Sequence, residues 1–200
     1  MVSQSSWNAH PHLAWAMWGL DEIEATLASF QGSLHKRTDA RTEAQSAMAD
    51  MHTARDTFRK SIEEHGPMDE VARARWKTEL ESQWDAFEDS LQTYLQTVSK
   101  QVAEQETVFR ARADAQSKAW QRTIAKLHER AASFAADRRG DIDAAIRRLE
   151  FEADAAKAKL DTLNRAEGAS WAAMKSALAE TRTTLDRAHQ AVHEAFKHPA

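Results

Sequence analysis

Leu80-Glu-Ser-Gln-Trp84-Asp-Ala-Phe87-Glu-Asp-Ser-Leu91-Gln-Thr-Tyr94-Leu-Gln-Thr-Val98 decides the fold class. Its large apolar residues Leu80, Trp84, Phe87, Leu91, Tyr94 and Val98 step by four and three in alternation. That repeat is the seam of a packed α-helix, because residues three and four apart share one helix face. Trp120, Ile124, Leu127, Ala131 and Phe134 carry the same stepping. From Met68 to Arg139 there is neither glycine nor proline. Read as one unbroken helix, the stretch would be about 100 Å long.

Working outward, Leu20, Ile23, Leu27, Phe30 and Leu34 follow the same spacing, and so do Met48, Met51, Phe58 and Ile62. His65-Gly66-Pro67 is the strongest punctuation, and Asp69 suits the N-cap of the helix that follows. Arg138-Arg139-Gly140-Asp141 reads as a second stop and restart. Ile146, Leu149, Ala153, Ala156, Leu160 and Leu163 then lead to Trp171, Met174, Leu178, Leu185 and Val192. The expectation is an all-α, elongated antiparallel helical bundle or coiled coil. Three long helices would cover about 12–65, 68–139 and 141–197, in a single domain over 12–200 behind a flexible arm, 1–11. Sharp turns at Gly32 and Gly168 would give four or five shorter helices instead.

Composition agrees. Five glycines and three prolines in 200 residues are too few for the turns of an all-β protein. Seven tryptophans and seven phenylalanines are too many for a chain that stays unfolded. The chain has no cysteine, which excludes disulfides and thiolate chemistry and is compatible with a cytoplasmic location. The N-terminal sequence lacks the basic region of a signal peptide, and no apolar run reaches transmembrane length. A net charge of −4 argues against general nucleic-acid binding.

Residues 150–196 resemble the C-terminal end of a bacterial family of small coiled-coil proteins described as stress-related. The residues that carry the likeness are Ala158-Lys159-Leu160, Gly168-Ala169-Ser170-Trp171, Met174-Lys175, Leu178 and Phe196. A second tryptophan expected between Leu178 and Leu185 is missing. The resemblance implies a helical fold and no established activity. In composition the chain is also similar to phasins, which coat storage granules, and to apolipoprotein-like amphipathic helices.

Two constellations stand out as candidate sites. His189 and His193, at i and i+4, have the spacing to hold a transition metal between two imidazoles, completed by Glu194 or a second chain. His198, His10 and His12 are further histidines near the termini. Without the glutamate of the HExxH pattern, the pair has no built-in general base. Surface histidines beside core residues explain it more simply. Trp7, Leu13, Trp15, Met17 and Trp18 form an N-terminal cluster that is apolar around much of a helix. Packed, it closes the end of a bundle; exposed, it anchors to a lipid surface, a granule or a partner helix.

No glycine-rich phosphate loop or nucleophile elbow is present. The charges of 68–139 divide into an acidic first half, with Asp85, Glu88 and Asp89, and a basic second half, with Arg110, Arg112 and Lys118. They read as a solvated surface; the alternative is antiparallel self-pairing, acidic half against basic half. The chain is therefore expected to be a structural or interaction protein without catalytic activity or cofactor, forming a homo-oligomer or binding a protein partner. A lipid- or granule-surface protein and a histidine-based metal-binding bundle are the alternatives.

Overall fold

The computed structural model describes residues 11–34, 42–64, 66, 68–98, 101–136, 139–166 and 168–197. Among them the protein is all-α, with six helices: α1 (Pro11–Leu34), α2 (Thr42–Glu63), α3 (Glu70–Thr97), α4 (Gln101–Ala131), α5 (Gly140–Arg165) and α6 (Trp171–Lys197). The three long helices expected from the sequence are thus replaced by six. The 1–11 arm lies outside the described residues except for Pro11, which opens α1.

The unbroken 68–139 helix is the main correction. The chain leaves the helix at Val98, which is extended (φ −83°, ψ 139°). No glycine or proline marks this corner. Thr97 turns its hydroxyl back onto the Tyr94 carbonyl at 2.8 Å, and Thr97-Val98 is a β-branched pair of low helix propensity. Arg112 on α4 then reaches Glu88 and the Trp84 ring on α3. In a straight helix two residues 24 apart would be separated by roughly 36 Å, so α4 must fold back along α3.

The other breaks differ in detail from the expected ones. Gly19 and Gly32 lie inside α1 and do not interrupt it. The helix expected to run to Arg139 ends at Ala131, and α5 begins at Gly140 itself, with Asp141 and Asp143 in its first turn to complement the dipole. Asp69 caps α3 as its sequence suggests, accepting from the Ala72 amide at 2.7 Å. Gly168 supplies the positive φ (76°) of the α5–α6 turn, a conformation other residues adopt only under strain.

The contacts cluster into two compact units, residues 1–112 and 113–200, where the sequence suggests a single domain. The N-terminal unit holds α1, α2, α3 and the first part of α4. Its core includes Leu13, Ile23, Phe30, Met51, Phe58, Leu80, Phe87, Leu91 and Phe109. Between residues 12 and 30 only Glu24 and Ala28 of α1 are exposed, so α1 is buried nearly all round. The C-terminal unit holds the rest of α4 with α5 and α6. Trp120, Ile142, Ile146, Leu149, Leu178, Leu185 and Val192 fill its core.

Candidate functional site

The N-terminal cluster belongs largely to the core of its unit. Leu13 and Trp18 are buried, and Trp15 and Met17 are half-buried. The Trp15 ring lies 6.3 Å from that of Phe58. Gly19, one residue on, lets α1 come close: a Cβ there would stand 3.3 Å from Phe58 Cζ and 3.4 Å from the Trp84 ring. Trp7 lies outside the described residues. His12 is half-buried, and burial together with Lys77 and Arg73 holds its pKa below the ordinary value.

Beside Trp84, α1, α3 and α4 meet around a buried charge. The Arg112 side chain is 2% exposed. Its Nε donates to Glu22 Oε2 at 3.2 Å and its Nη2 to Glu88 Oε1 at 2.5 Å. Glu22 is fully buried and Glu88 nearly so. The guanidinium also sits over the Trp84 ring, 5.2 Å from its centre. Burial opposes the positive charge, but Glu88 and Glu22 outweigh it and hold the guanidinium above its usual range. Such a cluster contributes little net stability over a well-packed apolar core, yet breaking it leaves an uncompensated charge. It ties α1, α3 and α4 together at one point.

The sequence reading counts Arg112 and Glu88 among surface charges; Arg112 is buried and Glu88 is half-buried. The signal for Arg112 was present, since it lies four residues after Val108 and four before Gln116, on the row that leads to Trp120. Glu22 had a weaker signal, its neighbour Ile23 being the expected core residue.

The interior of the C-terminal unit is polar, with neutral groups beside one buried arginine, Arg182. Gln116 Nε2 donates to the Leu178 carbonyl at 3.0 Å, and the Thr181 hydroxyl donates to Gln116 Oε1 at 2.9 Å. Both side chains are buried, and neither was singled out from the sequence. On α6, His189 is buried and His193 half-buried. Burial, with a smaller push from His193, lowers the His189 pKa to about 4. For His193, burial and then Lys197 and Arg130 lower the pKa against the pull of Glu194. Arg130 itself stacks over Phe196 at 4.1 Å, and Phe196 meets Phe134 at 5.6 Å. The histidine pair therefore sits in an apolar and cationic setting. Among the described residues no group of three potential metal ligands occurs; His10 and His198 lie outside them. His128 and Glu150, 2.7 Å apart, clip α4 to α5 at the surface.

The open surface carries large apolar side chains at Val71, Val102 and Phe151, which are 62%, 63% and 70% exposed. A shallow groove of about 600 Å³ runs between α5 and α6, lined by Ala158, Thr162, Leu163, Ala166, Ala173 and Ala177. Lys159 and Glu180 bridge its rim at 2.6 Å. No helix among the described residues is long and apolar enough to cross a membrane. No family model, curated protein or solved structure matches the chain.

Proposed function

We propose that the chain is a non-enzymatic structural or interaction protein, resident in the cytoplasm, that binds through exposed helix faces to another copy of itself or to a protein partner. The observation that carries this reading is the placing of Val71, Val102 and Phe151 on open faces of α3, α4 and α5. Their exposure contrasts with the burial of the aromatic seams, and exposed apolar side chains on a rigid helix are the usual anchors of helix-in-groove recognition. The interior charges support it indirectly, since a cluster that ties three helices together holds their outer faces in a constant arrangement. The likeness of residues 150–196 to stress-related coiled-coil proteins supports a role in the stress response.

The test is the hydrodynamic mass of the chain, purified and in an extract of its source cell. The reading expects a mass above that of one chain in at least one setting, reduced by Val71→Ser, Val102→Ser and Phe151→Ser together. A single-chain mass in both settings overturns it. The lipid- or granule-surface reading ranks behind, because it asks Leu13 and Trp18 to leave the core. Co-sedimentation with liposomes and a blue-shifted tryptophan emission, both lost when residues 1–19 are removed, would reverse that order.

A further inference from the structure

Phe151 projects from the outer face of α5, where its neighbours Ala144, Arg147, Arg148, Asp154, Ala155 and Ala158 are exposed as well. The alanines flank the ring with little bulk, so a second helix can approach the backbone closely. Arg147 lies four residues before Phe151 and Asp154 three residues after it. At 3.6 residues per turn these positions are about 40° and about 60° round the helix from Phe151, on the same flank. Neither side chain makes an ion pair within the chain among the described residues.

We infer that this face of α5 is a self-complementary docking surface for a second copy of the chain, paired antiparallel with the two Phe151 rings at the two-fold axis. This rests on the interaction reading above and names its partner. A two-fold axis perpendicular to the helix pair reverses direction along the helix but keeps the flank. It therefore sets Arg147 of each copy against Asp154 of the other, twice over, in the position where charges choose partners in antiparallel coiled coils. Ala144 of each copy faces Ala158 of the other, which permits the close approach. Asp143 and Asp161 would meet further out, but each already has its own cation, Arg139 at 3.3 Å and Lys157 at 2.6 Å. A parallel pairing would instead put Arg147 and Asp154 of one copy on the flank opposite those of the other and pair neither. One helix pair is a small interface, so the dimer is expected to form and dissociate with concentration.

Sedimentation velocity of the purified full-length chain over a concentration series tests the inference. Wild type is expected to shift from monomer to dimer. Phe151→Ser, Arg147→Asp and Asp154→Arg should each weaken association by at least roughly tenfold, with helical circular dichroism unchanged because all three side chains are exposed. Arg147→Asp combined with Asp154→Arg restores opposite charges across the two-fold and should recover the dimer. A wild type that stays monomeric, or single variants that dimerise like wild type, overturns the inference. A purified monomer that gains mass in cell extract leaves the interaction reading standing. A monomer in both settings removes the two together.

Discussion

The N-terminal unit closes around a cluster of three charges, and the C-terminal unit around mainly neutral polar groups with one buried arginine, Arg182. In the first, Arg112 holds Glu22 and Glu88 in a site with almost no solvent. In the second, Thr181 donates to Gln116, which donates in turn to the Leu178 carbonyl, and His189 is kept uncharged by its surroundings. Both join helices through buried polar contacts, but they fail differently. Removing one member of the charged cluster leaves buried charge short of one counter-charge, whereas removing one member of the neutral pair costs a single dipolar contact. Acid reaches the C-terminal unit through buried His189.

The sharpest way to break this contrast is Arg112→Ala. It should destabilise the N-terminal unit by about 3–5 kcal/mol, the range for a buried pair that loses one partner. Hydrogen exchange would report the loss in α1 and α3, with α5 and α6 retaining their protection. Equal loss in all four helices would mean that the units do not differ in the way described.

Mild acid provides the next largest effect. His189 is depressed from an ordinary 6.5 to about 4, so the unfolded chain takes up a proton that the folded one refuses. Its contribution is fully present above pH 6.5 and is lost as the pH falls towards 4. The loss should reach roughly 2 kcal/mol by pH 5. Urea unfolding of the C-terminal unit at pH 7 and pH 5 measures it, and His189→Gln should remove most of the difference. An unchanged pH dependence in that variant would assign the effect elsewhere.

Smaller still, Thr181→Val should cost about 1–2 kcal/mol by removing the hydroxyl that donates to Gln116 Oε1. Gly19→Ala is expected to fall within about 1 kcal/mol of wild type. The helix gains from alanine, and the crowding against buried Phe58 and Trp84 takes that gain back. Thermal unfolding of each variant gives the order, and a Gly19→Ala loss well beyond that range would show that α1 has no slack at this crossing.

The helices were legible because their apolar residues repeat at three and four. Trp84, Trp120 and Trp171 are buried where that repeat puts them. The α3–α4 corner was not legible, because Thr97-Val98 is an ordinary dipeptide whose break depends on what α4 packs against. The interior charges were missed for a related reason. An arginine is read as surface unless its partners are known, and Glu22 lies 90 positions from Arg112. His189 was visible as half of an i, i+4 pair, but its burial comes from neighbours on other helices. On α1, the apolar circumference around Trp15 and Trp18 was seen; that it fits a helix enclosed by others follows only once α2, α3 and α4 are in place.

The span of 90 residues between Glu22 and Arg112 also bears on synthesis. A ribosome delivers α1, α2 and α3 before the cation that two of them require. A nascent chain that ends short of Arg112 carries two carboxylates in a site shaped for three charges. Until Arg112 emerges, the N-terminal unit lacks the cation that links α1 to α3. The N-terminal unit is therefore completed by the first third of α4, the same helix whose remainder begins the other unit.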